Sequence, residues 1–162
     1  MSYAITRESS RASEIIPDRL WLGGYLAATD VDWLKEKNIT VVFNCTKDIP
    51  FAEGPTHLYR VPVHDNLEKE EIENMQKWSP EIVYKMLREY RAGHNILVHC
   101  AAGMQRSAAV VLMFLMTMWR QHKEPVYAYL REKRPIVFRP SMNFRPAVEW
   151  YEKWLYTNIL HQ

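Results

Sequence analysis

The stretch from residue 95 to residue 121 limits this chain most. Residues 95–99 read as a short apolar strand, six residues follow, and Arg106 opens a helix. Within that helix, positions 108–119 form a run of 12 residues broken only by Thr117. A helix apolar on every side is a buried one, and 12 residues are too few to cross a bilayer. The pattern predicts a helix at the centre of a core, reached through a tight bend from a buried strand.

Around this unit, strands and helices alternate. Strands are expected at 20–22, ended by Gly23-Gly24, at the β-branched stretch 40–44, and at 58–63, which is followed by His64-Asp65-Asn66. Helices are expected at 30–37, 68–78, 125–133 and 143–159. Ser79-Pro80-Glu81 is a helix-start signal, with Ser79 as cap and Pro80 at the first helical position. It predicts a separate helix running to about Arg91 and stopped by Gly93. The alternation predicts an α/β class fold: a single domain with a central, mostly parallel sheet flanked by helices.

One domain suits 162 residues. Dense polar sequence is confined to the start, so residues 1–13 are expected as an arm and 14–162 as the domain. Residues 1–13 hold no apolar stretch of the kind a secretory leader needs. A net charge of +2 gives no whole-protein case for nucleic-acid binding or membrane steering. Two cysteines, Cys45 and Cys100, are too few for a disulfide scaffold, and no His, Cys or carboxylate spacing suggests a metal. Free thiols point to a reducing compartment, the cytoplasm with access to the nucleus. Trp119, Trp150, Tyr151 and Trp154 form an aromatic group near the end of the chain. It reads as core packing, with a homodimer face as the alternative.

The chemistry lies in Ile96-Leu97-Val98-His99-Cys100-Ala101-Ala102-Gly103-Met104-Gln105-Arg106-Ser107. A loop joining strand to helix in so few residues must curl. Curled backbone turns several N–H groups toward one centre and makes an anion nest, to which the helix N-terminus adds its own donors. Gly103 can take backbone angles that other residues resist. The same field favours a thiolate at Cys100; cysteines at such sites titrate at roughly 3.5–7.5 rather than about 8.5. Arg106 offers a planar fork for two phosphate oxygens, and Ser107 brings a hydroxyl near the sulfur or the phosphate. A nucleophile, a cradle and a charge clamp therefore meet within eight residues, as phosphoryl transfer requires.

His99-Cys100-Ala101-Ala102-Gly103-Met104-Gln105-Arg106-Ser107 resembles the signature of the cysteine-dependent protein tyrosine phosphatases, His-Cys-x-x-Gly-x-x-Arg-Ser/Thr. Size and flanks resemble the small dual-specificity branch. Ile16-Pro17-Asp18-Arg19-Leu20-Trp21-Leu22-Gly23 is similar to its early strand pair, and Arg134-Pro135 and Pro140-Ser141-Met142-Asn143-Phe144 to its late segments. The resemblance implies a phosphatase-type fold and hydrolysis of phosphotyrosine and phosphoserine or phosphothreonine on phosphorylated protein substrates. It implies a phosphocysteine on Cys100, equatorial phosphate oxygens held by Arg106, and Ser107 easing thiolate departure. It also implies that His99 orients the thiolate and that residues 101–106 bind phosphate, with no cofactor and no metal. The family's loop-holding Asn directly follows the Pro; here Ser141 stands there and Asn143 comes two residues later, so either serves.

In this family the general acid is an Asp three to four dozen residues before the nucleophile. Asp65 lies 35 before Cys100 and follows a strand; Asp48 lies 52 before and is the weaker candidate. Cys45 reads as a small buried hydrophobe, with a reversible disulfide to Cys100 as the sharper alternative. Two other functions use the same residues differently. Phosphoinositide or RNA 5′-phosphatases need extra countercharge, yet Ala101, Ala102, Met104 and Gln105 are uncharged. A non-catalytic phosphoprotein-binding module is expected to have lost a nucleophile, arginine or acid, and all three are present.

Overall fold

The computed structural model describes residues 10–160. Five strands form one sheet in the order β1 (Ala12–Ile16), β2 (Leu20–Gly23), β5 (Asn95–His99), β3 (Ile39–Asn44), β4 (His57–Arg60). β1 pairs antiparallel with β2, and all other pairings are parallel. Six helices complete the fold: α1 (Tyr25–Ala28), α2 (Val31–Glu36), α3 (Lys69–Arg91), α4 (Arg106–Trp119), α5 (Lys123–Lys133) and α6 (Arg145–Asn158). Residues 1–9 of the expected arm lie outside the described residues, and Ala12 and Ser13 belong to β1.

Period-two alternation sorts the strand residues between two layers. Trp21, Val42 and Leu97 face a small layer with Ala28 of α1 and Leu34 of α2. Leu20, Leu22, Val41, Phe43, Ile96 and Val98 face the main core. There α4 lies between the sheet and α3, α5 and α6, and every residue from Ser107 to Met116 is fully buried. That is the environment its uninterrupted apolar sequence requires.

The helix start expected at Ser79-Pro80 is not one: α3 is a single helix of 23 residues with Pro80 inside it. Pro80 has no N–H to give the carbonyl of Gln76, one turn back. The buried hydroxyl of Ser79 donates to that carbonyl instead, at 2.8 Å. The pair that resembles a cap therefore repairs a helix interior. The strand expected at 58–63 is shorter, since β4 ends at Arg60. Beyond it Val61 still donates to Asn44, but Pro62 has no N–H to offer and Val63 turns back to the Val61 carbonyl.

Of the aromatic group, Tyr151 is in the core, with its hydroxyl 2.7 Å from Thr117 Oγ1, while Trp150 is on the surface and stacks on Trp154. No helix among the described residues is long and apolar enough to cross a membrane. β5, β3 and β4 run parallel, so their C-terminal ends, and the segments leaving them, open at one edge of the sheet. In α/β sheets that edge is where ligands bind.

Candidate active site

Cys100 follows β5, whose partners on both sides fix its position: the Cys100 N–H donates to Gly23 O at 3.3 Å and Cys45 N–H donates to His99 O at 2.8 Å. Past Cys100, four successive carbonyls turn outward and each finds a donor. Tyr25 N–H reaches Ala101 O at 3.0 Å and Phe138 N–H reaches Met104 O at 2.8 Å. Arg134 serves the two between, with Nη2 3.0 Å from Ala102 O and Nε 2.9 Å from Gly103 O. In a planar trans peptide, C=O and the next N–H point opposite ways. Tying the carbonyls of residues 101–104 outside thus turns the amides of residues 102–105 inward, which is the anion nest expected of the loop.

Two glycines allow this packing. Gly103 has φ +63, and a Cβ there would stand 2.6 Å from the Gly23 carbonyl and 2.7 Å from Arg134 Nη2. A Cβ on Gly24 would lie 2.6 Å from Ala101 O. The helix adds its own donors, because Gln105, at the N-cap of α4, gives it no side-chain cap. The Gln105 amide instead donates to Arg139 O at 3.1 Å and Ser141 O at 2.8 Å and accepts from Asn143 N–H at 2.9 Å.

Burial pushes the Cys100 thiol up, but Arg106, the Ser107 hydroxyl 3.1 Å from the sulfur, and the amides of Ser107 and Gly103 outweigh it. The thiol ends below its ordinary value. His99 is buried and its ring Nδ1 lies 3.2 Å from Cys100 O. Burial, with Arg60 and Arg106 nearby, lowers it to about 4, so at neutral pH it is an uncharged donor to the loop. Cys45 is the opposite case: burial and the charge of Cys100 push its thiol well up, and both cysteines are free.

Arg106 Nη1 donates to Val63 O at 3.0 Å, while its buried Nε has no partner. The segment it touches carries Asp65, which is exposed and accepts from Asn143 Nδ2 at 2.8 Å. Asp65, Cys100, Ala101, Ala102, Met104, Gln105, Arg106, Arg139, Pro140 and Asn143 line one open cavity of about 350 Å³. The structure therefore gathers Asp65, Cys100, Arg106 and Asn143 around one space. Gly103, Ser107 and His99 support it from behind. Asp48 does not line the cavity.

Two residues that matter here had no role assigned from the sequence, although Arg134 lies in the Arg-Pro segment that resembles the family's. Arg134 holds the outer side of the loop and also reaches Ser13 Oγ at 3.0 Å, and burial lowers its pKa to about 10. Glu71, buried in α3, accepts from the backbone N–H of His64, next to Asp65, and from Lys47 Nζ at 3.1 Å. Burial raises its pKa, but these donors win and hold it below the ordinary carboxylate value.

A mostly parallel sheet with a cysteine whose pKa is lowered, an anion nest and an arginine at its C-terminal edge defines the class of cysteine-dependent phosphatases. The family model for the dual specificity phosphatase catalytic domain matches residues 20–153, and the chain belongs to that family. It is 29% identical over 146 residues to the tyrosine-protein phosphatase vhp-1 of Caenorhabditis elegans, covering 87% of this chain and 21% of that protein. It is 30% identical over 145 residues to the dual specificity protein phosphatase Mpk3 of Drosophila melanogaster, covering 88% of this chain and 34% of that one. The chain thus spans a fifth to a third of these relatives. Among solved structures, human DUSP28 superposes with a TM-score of 0.78 at 26% identity, over 89% of this chain and 94% of the other.

Proposed function

We propose that this chain is a protein phosphatase domain that hydrolyses phosphotyrosine and phosphoserine or phosphothreonine through a phosphocysteine on Cys100. The observation that carries the reading is the buried, unpartnered Nε of Arg106, set beside a thiol whose pKa is lowered and an inward-facing ring of amides. An unpaired buried donor is costly, and a phosphate oxygen would satisfy it.

In the first step the Cys100 thiolate attacks phosphorus and the bond to the substrate oxygen breaks. The Asp65 carboxylic acid gives its proton to that oxygen, so the alcohol or phenol leaves neutral. Arg106 and the loop amides stabilise the charge spread over the three equatorial oxygens. In the second step water attacks the phosphocysteine, Asp65 takes the water's proton, and the S–P bond breaks. The Ser107 hydroxyl then eases the departure of the thiolate. His99 holds the loop by donating to the Cys100 carbonyl. Asn143 holds one carboxylate oxygen of Asp65, which leaves the other for the proton, and its backbone tie to Gln105 links acid and loop.

The four variable loop positions add no charge, and among the described residues Arg139 is the only cation lining the cavity besides Arg106. That favours a singly phosphorylated side chain over polyanionic lipid or RNA ends. Phosphorylated proteins are thus the proposed partners, and two free cysteines suit a reducing compartment. The test is hydrolysis of p-nitrophenyl phosphate and phosphopeptides by the purified chain. Turnover that orthovanadate inhibits and Cys100→Ser abolishes is expected. No turnover by well-folded protein, with phosphopeptide binding retained, would instead make it a binding module.

A further inference from the structure

At the opposite edge of the sheet, three side chains outside the phosphatase machinery converge. His57 opens β4, Glu89 lies near the end of α3, and His94 precedes β5. One ligand atom from each lies within 4.8 Å of the others. His57 Nδ1 is 2.5 Å from Glu89 Oε2, and the two imidazole rings have centroids 4.6 Å apart. The Glu89 carboxylate is only 7% exposed. His94 Nδ1 is held 2.8 Å from Thr40 Oγ1 on β3, which leaves the other ring nitrogen to coordinate. A hydrogen bond on one ring nitrogen that fixes the other is a recurring support of metal-binding histidines. Nearby cations are engaged elsewhere: Arg19 donates to the carbonyls of Tyr90 and His94, and Arg88 to the Tyr59 hydroxyl.

We propose that His57, Glu89 and His94 bind a divalent transition ion of the zinc type, with water as the fourth ligand. Two imidazoles and one carboxylate are a ligand set that zinc accepts, at roughly 2.0–2.2 Å per bond. A single carboxylate is too few oxygens for calcium or magnesium. Tetrahedral binding needs the His57 nitrogen and the Glu89 oxygen about 3.3 Å apart. His57 is 42% exposed and free to swing outward by that margin. The proton it shares with Glu89 leaves to solvent as the ion enters.

The ion would tie together the start of β4, the end of α3 and the entry to β5. The five residues of β5 separate His94 from Cys100, six steps and roughly 20 Å at about 3.3 Å per residue. The site therefore acts on stability rather than on the chemistry, and it stands independently of the phosphatase reading.

The test uses the full chain carrying Cys100→Ser, which removes the active-site thiol as a competing zinc ligand. Titration calorimetry with zinc chloride should give one ion per chain, and zinc should raise the thermal midpoint relative to a chelator. His94→Ala and Glu89→Gln should each weaken binding at least tenfold, and Thr40→Val about tenfold, with circular dichroism unchanged in the absence of metal. X-ray absorption at the zinc edge should show nitrogen and oxygen ligands with imidazole scattering. Absence of binding, a sulfur ligand, or undiminished affinity in His94→Ala would overturn the proposal and leave an ordinary His57–Glu89 hydrogen bond.

Discussion

At Cys100 two opposing effects are set against each other. Removal from water favours the neutral thiol, while Arg106, Ser107 and two amides favour the thiolate, and the second set wins. Ser107 is the member that can be removed without opening the loop. A hydrogen bond to a charged group contributes about 1.5–3 kcal/mol, and one pKa unit is about 1.4 kcal/mol. Because Ser107 lowers the thiol pKa, Ser107→Ala raises it. The acid limb of the pH profile of kcat/KM, which follows the free enzyme, should move up by about one pH unit. An unmoved limb would mean that Ser107 does not touch the ionisation. Asp65 is tested by leaving group. Asp65→Asn should lower turnover of alkyl phosphates by about 10²–10⁴-fold and of aryl phosphates with very good leaving groups far less. Equal activity of the mutant on a phosphotyrosine peptide would exclude Asp65 as the acid.

Among the elements, α3 shows how a local signal misleads. Ser79-Pro80 has the composition of a helix start, and nothing nearby says that residues 69–78 and 81–91 lie on one axis. Only packing decides that: Met75, Ile82, Val83 and Met86 are buried in the same core. Proline then costs one hydrogen bond, which Ser79 offsets. Ser79→Ala should lower the unfolding free energy by about 1–2 kcal/mol, because it leaves the Gln76 carbonyl unpaired. Adding Pro80→Ala should recover most of that loss by restoring the backbone donor. A denaturant double-mutant cycle with no coupling between the two sites would refute this account. Elements whose periodicity agrees with their burial, such as α4 and β5, were legible in the sequence within a residue or two. The short α1 was not, since four residues carry no period of their own.

Over the whole molecule, the parts of the site that lie close together in sequence were legible and the distant ones less so. Cys100, Gly103, Arg106 and Ser107 share one bend, and strand-to-helix connection forces that bend to curl. Asp65 was found from family spacing and its place after a strand. Its ties to Asn143, 78 positions away, depend on the tertiary fold. Arg134 stood out only as part of a family-like Arg-Pro segment and Glu71 not at all, because nothing in an Arg beside a Pro or a Glu in a helix's first turn tells its role. Both become informative only once burial forces their charges to find partners. His57, Glu89 and His94 come from a strand, a helix and a connecting turn with no ligand spacing between them, so the linear sequence carried no metal signal.

If the curled loop lowers the Cys100 pKa so that its sulfur takes the phosphoryl group covalently, a phosphocysteine forms during turnover. Acid-quenching the enzyme during turnover of a phosphotyrosine peptide, followed by peptide mass spectrometry, tests this directly. Phosphate on the Cys100 peptide of the wild type is expected, absent in Cys100→Ser, which should also be inactive. Sustained turnover by Cys100→Ser, or phosphate found on another residue, would contradict it.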